Sequence, residues 1–365
     1  MRTRVLIAGG GLSGLHTAYE LGKRGIDYLL VEARERFGGR ILSQNAGSTD
    51  YRSDEPAFDL GPSWFWPGQV HIQTLIPELG LAGDVFTQYG SGDSLFEDER
   101  AVHRGVPGIS MAGAYRLKGG IRQLVATLEE RLEKRRLLAG AVVQEFVYHD
   151  DGLSAAVLQD GNRRDVQCDA VVIAMPPRLA AQTIAFNPPL SEKRQNELTE
   201  VPTWMAGHAK LVAVYKEPFW REQGLSGDVV SYRGPLGEIH DASAAEGGPY
   251  ALFGFLNVPA GQRDGKEQAI KQAAIEQLSR LFGRDAESPL KITMKDWARE
   301  RYTATELDQP SSNQHVFSRM QEFAEQEWGK RLIWSGSELA GGHIGGYLEG
   351  AIYSSVRTVG MIDSA

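Results

Sequence analysis

The first forty residues constrain the fold of this chain more than any other stretch. A short apolar run over residues 4–8 leads into the motif Gly9-x-Gly11-x-x-Gly14, and a second apolar run over residues 28–31 ends at Glu32. A strand, a glycine-rich turn, a helix and a strand with an acidic end are typical of a dinucleotide-binding βαβ unit. The glycines let backbone N–H groups approach a pyrophosphate, and Glu32 can accept hydrogen bonds from ribose hydroxyls. We therefore predict an α/β fold with a Rossmann-like domain.

The segment that follows Glu32 narrows the identity of the dinucleotide. Ala33-Arg34-Glu35-Arg36-Phe37-Gly38-Gly39-Arg40 places several guanidinium groups and a second glycine pair beside the expected pyrophosphate. Arginine binds phosphate oxygens through two parallel hydrogen bonds, a geometry that lysine lacks. A nicotinamide dehydrogenase does not need this extension. The segment resembles that of two-domain FAD proteins of the amine oxidase and glutathione reductase kind, so we expect FAD.

Composition excludes several other classes of protein. A chain of 365 residues is longer than one hydrophobic core usually accommodates, so one large or two interleaved domains are expected. The net charge of -8 argues against a nucleic-acid partner. No apolar run reaches the ~20 residues of a membrane helix, and the first strand begins too early for a cleavable signal. The single cysteine, Cys168, excludes a disulfide framework, and the histidines lack metal-ligand spacing. We expect a cytoplasmic protein without a metal or membrane partner.

Hydrophobic periodicity predicts the remaining elements and their grouping. We expect an interleaved arrangement, in which residues 1–68, 116–185 and 296–365 form the FAD-binding domain and residues 69–115 and 186–295 form a mixed α+β substrate domain. Predicted helices cover residues 12–24, 70–79, 121–135, 191–200, 268–282 and 314–327, and the chain from 347 onward. Predicted strands cover residues 141–148, 153–159, 164–168, 169–175, 207–215, 250–258, 291–297 and 331–335. A hairpin is expected near 95–102 and turns over 219–248.

Four separated stretches together resemble the flavin-containing amine oxidase family. They are the run through Arg40, then Asp59-Leu60-Gly61-Pro62-Ser63-Trp64, then residues 207–220, and finally Ser335-Gly336-Ser337-Glu338 followed by residues 345–351. Residues 69–115 match poorly, which leaves the substrate specificity undefined. The resemblance implies oxidation of a small-molecule amine at its C–N bond to an imine, which hydrolyses to a carbonyl. It also implies reoxidation of the flavin by O2, giving H2O2, or by another electron acceptor.

The same resemblance assigns roles to individual residues. Lys210 corresponds to the lysine that holds a water against flavin N5 and assists the reaction with oxygen, although its pattern alone favours a lysine snorkelling from a half-exposed strand. Tyr347 corresponds to one wall of an aromatic cage that guides the amine nitrogen, rather than an ordinary half-buried tyrosine. Glu338 corresponds to a contact with the flavin phosphate or ribityl chain. The other implied cofactor contacts are Gly9, Gly11, Leu12, Ser13, Gly14, Glu32, Ala33, Arg34, Gly39, Arg40, Gly61, Pro62, Ser63, Trp64, Val143, Trp297, Gly336 and Gly346, with Tyr347 itself.

Two departures from the family pattern change what is expected at the site. Monoamine oxidases attach FAD through a cysteine a few residues after the tryptophan that matches Trp297, but residues 297–307 contain no cysteine. We therefore expect non-covalent FAD. The second wall of the aromatic cage aligns at about Leu307, which predicts a one-sided cage. Candidates to replace that wall are Tyr302, Trp204, Trp64 and Trp66.

Two other classes of function share the FAD signature. One is a flavin-dependent oxidase or desaturase that acts on a carbon–carbon framework, such as a porphyrinogen or a carotenoid precursor. The other is an FAD-binding protein without turnover. Lys210, Tyr347 and the surrounding stretch favour the amine reaction over the carbon–carbon reaction, whereas anaerobic titration with amines distinguishes the class without turnover.

Overall fold

Two large β-sheets organise the computed structural model, which describes residues 1–45, 56–106, 110–309 and 328–363. The strands are β1 Arg2–Ala8, β2 Tyr28–Val31, β3 Ser43–Asn45, β4 Ala57–Asp59, β5 Val85–Thr87, β6 Asp93–Glu97, β7 Val102–Arg104, β8 Tyr115–Leu117, β9 Leu137–Leu138, β10 Ala141–His149, β11 Gly152–Gln159, β12 Asn162–Ile173, β13 Ala185–Asn187, β14 Ala209–Tyr215, β15 Leu225–Ser231, β16 Leu236–Asp241, β17 Tyr250–Leu256, β18 Lys291–Asp296 and β19 Leu332–Trp334. The helices are α1 Leu12–Lys23, α2 Val70–Glu78, α3 Arg122–Arg131, α4 Pro177–Thr183, α5 Glu192–Glu200, α6 Phe219–Glu222, α7 Glu267–Phe282 and α8 Leu348–Asp363. None of these helices combines the length and hydropathy that a bilayer crossing requires.

The first sheet contains the predicted βαβ unit. Its strands run in the order β13-β10-β11-β12-β1-β2-β9, with β19 also pairing with β12. Strand β1 is parallel to both β2 and β12, whereas β10, β11 and β12 form an antiparallel meander. Side chains alternate along β1, so Val5 and Ile7 join the core that contains α1, α3 and α8, while Leu6 and Ala8 join the core on the opposite face. Both faces of this strand are therefore covered, as expected for a central parallel strand.

The second sheet runs in the order β18-β14-β17-β16-β15-β6-β7. Along β14, Leu211 and Ala213 pack in a core with helix α7. The alternate residues Val212 and Val214 face the other way and pack with Phe58 and Leu60. Because side chains alternate between faces, Lys210 lies on the face of Val212 and Val214. This face is directed toward the segment that follows β4.

Most predicted elements are confirmed, with some changes in their bounds. Helix α1 ends before Gly25, which adopts a positive φ of 67° as expected for a helix terminator. Helices α2, α5, α7 and α8 and the hairpin of β6 and β7 are also present. Helix α3 ends at Arg131 rather than near 135, because the backbone adopts an extended conformation at Leu132. The helix predicted over 314–327 lies outside the described residues.

Two strand predictions are wrong. Residues 164–168 and 169–175 are not separate strands, because β12 continues from its antiparallel pairing with β11 into parallel pairing with β1. Residues 219–248 were expected to be turns, yet they contain β15 and β16. Gly227 has a φ of 87°, and the register shifts between Leu225 and Val229. This irregularity interrupts the alternation that identifies a strand.

Candidate active site

A cavity of about 1140 Å³ is lined by residues from both sheets. Its lining includes Ala8 and Val31, which lie at the carboxyl ends of β1 and β2. It also includes Lys210 of β14 and Tyr347, which precedes α8. Ligands of open α/β sheets bind beyond the carboxyl ends of parallel strands. The cavity therefore joins a dinucleotide position to a chamber beside the second sheet.

The glycine motif forms the base of the dinucleotide position. Gly9 has a φ of 112°, a conformation that residues with a side chain rarely adopt. A Cβ on Gly14 would lie 1.9 Å from the carbonyl oxygen of Gly9, so this glycine lets α1 approach β1. A Cβ on Gly11 would meet nothing within 4 Å, because that position faces the cavity. The first N–H groups of α1 also lack intrahelical partners. This cradle fits a pyrophosphate.

Glu32 and Arg34 lie beside this cradle in different roles. Glu32 is buried and accepts hydrogen bonds from the backbone N–H groups of Gly10, at 2.7 Å, and Arg34, at 2.9 Å. Its oxygens keep further acceptor capacity toward the cavity, which suits a ribose diol. The Arg34 guanidinium donates to Glu300 at 3.0 Å and to Thr303 at 2.8 Å. Arg34 therefore ties the cavity wall to residues 300–303 rather than presenting a free cation.

Arg36 corrects the expectation of several guanidiniums beside the pyrophosphate. Its guanidinium donates to the backbone carbonyls of Phe37, Gly39 and Ile41, at 2.9 to 3.1 Å. Arg36 is absent from the cavity lining, whereas Arg34 and Gly39 are present. The side chain stabilises its own loop and does not face the cavity.

Arg40 connects the two ends of the chain. Its guanidinium lies 2.6 Å from one oxygen of Glu338, donates to the other at 3.0 Å, and donates to the carbonyl of Trp204 at 3.0 Å. Glu338 is 1% exposed, and burial opposes its ionisation. The Arg40 charge and the hydrogen bonds from Arg40 and Ser337 outweigh that effect and lower the pKa of Glu338. Glu338 is therefore an anionic anchor of the cavity wall.

Lys210 is buried rather than snorkelling, so the interpretation favoured by its pattern alone is wrong. It is 2% exposed, and its Nζ donates to Ser63 Oγ at 2.6 Å and to the Gly61 carbonyl at 3.2 Å. The same Nζ lies 3.8 Å from the centre of the Phe253 ring. Burial lowers the pKa of this lysine from 10.5 to about 7, partly opposed by the charge of Asp59. An amine with such a pKa exists in both protonation states near neutral pH.

Tyr347 has aromatic neighbours on two sides. The centre of its ring lies 5.7 Å from that of Trp66, at an interplanar angle of 77°, and 6.2 Å from that of Trp204. All three line the cavity. Leu307, the aligned position of the second wall, is 51% exposed and absent from the lining. Leu307 therefore forms no wall, and two of the candidate replacements, Trp66 and Trp204, form an aromatic surround for Tyr347 in place of the expected one-sided cage.

Glycines bring the Tyr347 segment against the cavity. Gly346 has a φ of 82°, and a Cβ there would lie 2.5 Å from the Trp204 side chain. Gly336 has a φ of 132° at the start of the turn that carries Glu338. Both line the cavity. The close contact between Gly346 and Trp204 requires a residue without a side chain.

The structure brings almost the whole predicted cofactor set to one cavity. The lining contains Gly9, Gly11, Leu12, Ser13, Glu32, Ala33, Arg34, Gly39, Arg40, Gly61, Pro62, Ser63, Trp64, Val143, Trp297, Gly336, Glu338, Gly346 and Tyr347. Gly14 is absent from the lining, in agreement with its packing role. Cys168 is buried in β12 and absent as well, and burial raises the pKa of its thiol to about 12. The only thiol of the chain is thus placed away from any flavin bound in the cavity.

The sequence interpretation missed several cavity residues. Val230 and Glu238 lie on β15 and β16, where turns were expected, and Phe255 lies on β17. Residues 236–241 give no alternation that would identify β16, because the buried Leu236 and Ile239 are three positions apart and the register shifts between Leu236 and Glu238. No local signal reveals that these strands face the cavity. That placement follows from the pairing order of the sheet.

Comparisons with known proteins agree with this geometry. Residues 94–362 match the family model described as flavin containing amine oxidoreductase, and residues 7–79 match an NAD(P)-binding Rossmann-like domain. A probable flavin-containing monoamine oxidase A of Dictyostelium discoideum is 24% identical, with 97% of this chain and 96% of the relative covered. Human amine oxidase [flavin-containing] B is 22% identical, over 97% of this chain and 84% of the relative.

Solved structures share the fold. A putrescine oxidase bound to putrescine superimposes with a TM-score of 0.82 at 21% identity, over 100% of both chains. Cyclohexylamine oxidase from Brevibacterium oxydans IH-35A gives a TM-score of 0.81 at 18% identity, over 99% of both chains. These similarities establish the α/β architecture that the N-terminal pattern predicts.

Proposed function

Because the chain belongs to the family of flavin-containing amine oxidoreductases, we propose that it oxidises a small-molecule amine at its C–N bond with O2 as the electron acceptor. FAD is the cofactor of this flavin-dependent enzyme. In the balanced reaction, two electrons and two protons leave the amine, the C–N single bond becomes an imine, and O2 becomes H2O2. Water then hydrolyses the imine to a carbonyl and releases ammonia or a shorter amine.

One observation carries the proposal: a single cavity contains the glycine cradle, the buried Lys210 and the aromatic surround of Tyr347. Gly11, Glu32 and the N-terminus of α1 suit the phosphates and ribose of FAD. When bound, the flavin supplies hydride acceptance and electron transfer to oxygen. Without a cysteine at the cavity, the cofactor is retained by these non-covalent contacts.

The aromatic residues orient the amine. Tyr347, Trp66 and Trp204 provide ring surfaces that exclude water and align the nitrogen. Oxidation of a neutral amine needs no dedicated base, so reduction should accelerate as the pH approaches the pKa of the substrate amine.

Lys210 is suited to the oxygen half of the reaction. Its Nζ already donates to Ser63 and Gly61, which leaves one donor of the protonated amine for a water in the cavity. A cation at this position stabilises negative charge that develops as electrons pass to oxygen. We assign to Lys210 the positioning of that water and the stabilisation of that charge.

An anaerobic spectrophotometric screen tests the proposed function. The purified protein should be yellow, and at least one amine among monoamines, polyamines and amino acids should bleach it. Readmitted O2 should restore the colour and form one H2O2 for each reduced flavin. Protein that remains yellow with every amine contradicts the proposal, and bleaching by a porphyrinogen or polyene instead supports carbon–carbon chemistry.

A further inference from the structure

A row of side chains crosses the second sheet from Lys210 to the solvent side of the cavity. Lys210 on β14 pairs with Phe255 on β17, Phe255 pairs with Glu238 on β16, and Glu238 pairs with Val230 on β15. Paired residues project from the same face of a sheet. All four line the cavity. Two strand spacings place the Cα atoms of Lys210 and Glu238 roughly 10 Å apart.

Glu238 lies between the reaction chamber and the cavity entrance. Tyr232, which follows β15, lines the cavity and is 67% exposed, so it marks the solvent side of the row. The Glu238 side chain is 40% exposed. The carboxylate therefore lines the cavity wall between Lys210 and Tyr232.

A buried pair fixes the Glu238 carboxylate from behind. His240 Nε2 lies 2.6 Å from Glu238 Oε1, and His240 Nδ1 lies 2.7 Å from Asp228 Oδ1. His240 and Asp228 are each 1% exposed. Trp64 packs edge-on against the His240 ring at 5.0 Å. The orientation of the Glu238 carboxylate is therefore set by a hydrogen bond to a histidine that is itself buried and held by Asp228.

Two carboxyl groups share one imidazole in this cluster. Burial opposes protonation of His240, but the hydrogen bonds that its ring nitrogens donate to the two carboxylates outweigh it and raise the pKa of the imidazole. The hydrogen bond with His240 in turn lowers the pKa of Glu238. Two carboxylates and one imidazolium sum to one negative charge. Among the described residues, no Lys or Arg lies within ion-pair distance of Glu238, so its second oxygen, Oε2, is available to a ligand.

We propose that Glu238, positioned by His240 and Asp228, binds a second cationic group of the substrate, so that the enzyme selects diamines over monoamines of the same length. The reacting amine occupies the aromatic surround of Tyr347, and the distal ammonium donates to Glu238. Phe255, which lies between Lys210 and Glu238 in this row, provides an apolar surface for the methylene chain. This inference rests on the proposed amine oxidation and specifies its substrate class.

Steady-state kinetics of the holoenzyme test the inference. The probes are diaminobutane, diaminohexane and diaminooctane against butylamine, hexylamine and octylamine. The wild type should favour one diamine over its matched monoamine, and Glu238→Gln should lower that kcat/KM ratio by about tenfold or more, mainly through KM, as expected for loss of a charge-assisted hydrogen bond. Glu217→Gln is the matched control, since Glu217 is exposed and absent from the cavity lining.

Charge reversal provides a second measurement. Aminohexanoate carries a distal carboxylate and should be a poor substrate of the wild type. Glu238→Lys should improve its kcat/KM relative to diaminohexane, with flavin absorbance confirming a loaded protein. If the variants do not fold, the wild-type enzyme alone still tests the inference. Equal kcat/KM for diamines and monoamines would overturn the diamine selectivity and leave the proposed amine oxidation intact. Failure to oxidise either class overturns the proposed function itself.

Discussion

Arg40 and Glu338 form a two-point ion pair although 298 residues separate them in sequence. The pair joins the extension of the nucleotide-binding motif to the turn before α8. Arg40 also donates to the carbonyl of Trp204, whose ring packs against Tyr347. One guanidinium thus links the cofactor cradle to the aromatic surround, and its loss should disturb both.

Replacing Glu338 with Gln should destabilise the protein and weaken FAD binding. Removing one charge of a buried pair leaves the other uncompensated, at a cost of about 3–5 kcal/mol. Urea unfolding and the flavin content after purification measure the two effects. Glu267→Gln serves as the control, because Glu267 pairs with Lys271 on the surface of α7. A variant with wild-type stability and flavin content would show that the pair is dispensable.

Alanine at Gly11 should separate cofactor binding from folding. A Cβ at this position meets nothing in the protein but projects into the cavity where the pyrophosphate is expected. We expect unchanged thermal stability of the flavin-free chain and FAD affinity reduced by about tenfold or more. Gly83→Ala, at an exposed position with open space around it, is the matched control. Full FAD affinity in Gly11→Ala would exclude the glycine cradle as the pyrophosphate site.

Methionine at Lys210 should slow the reaction of the reduced enzyme with oxygen by roughly tenfold or more, because it removes the cation that stabilises developing charge. The fold and the flavin content should persist, since methionine fills a similar volume in an apolar setting. Stopped-flow mixing of anaerobically reduced protein with O2 gives the rate. Lys216→Met, at an exposed position just beyond β14, should react like the wild type. Equal rates for the wild type and both variants would show that Lys210 contributes to packing and not to the reaction with oxygen.

The pKa of Lys210 also predicts how stability depends on pH. The folded pKa of about 7 lies below the ordinary 10.5, so between these values the unfolded chain binds a proton that the folded chain does not. Stability should therefore rise with pH in this window, by up to ~1.4 kcal/mol per pH unit, and show the full penalty below pH 7. Urea unfolding of the flavin-free wild type and Lys210→Met across this window isolates the effect. Parallel stability curves would contradict the low pKa.

Alanine at Tyr347 should lower the rate of anaerobic flavin reduction by amine. The substitution removes a ring that contacts both Trp66 and Trp204, and the amine loses its alignment. Tyr347→Phe keeps the ring and should keep most of the rate. Stopped-flow reduction with a saturating amine distinguishes the variants. An unaffected rate in Tyr347→Ala would remove this residue from the mechanism.

The nucleotide-binding half was readily predicted because its determinants are local. The glycine motif, the strand before it and Glu32 each require only neighbouring residues to reveal their role. The burial of Lys210 could not be predicted from its neighbours in the sequence. Its strand is covered on one side by α7 and on the other by the segment at Phe58 and Leu60, and only this second contact makes a mid-strand lysine buried.

The aromatic surround was less predictable than the cofactor cradle. Alignment to the family put the non-aromatic Leu307 at the second wall and could not choose among four replacements, whereas the chain positions Trp66 and Trp204 beside Tyr347 from two other loops. Three-dimensional proximity between such distant segments depends on loop paths that have no local pattern. Glu238 was missed for a related reason, since its strand follows the bulged β15.

The dependence of one cavity on both ends of the chain has a consequence for biosynthesis. Gly9 to Gly14 are synthesised before Glu338 and Tyr347, which follow more than three hundred residues later. At about 5–20 residues per second, this delay is roughly 15–65 s. During that interval the nascent chain holds Arg40 without its carboxylate partner and β1 without α8. Stable capture of FAD is therefore expected only after α8 has been synthesised, and flavin supply should influence how much of the protein escapes aggregation.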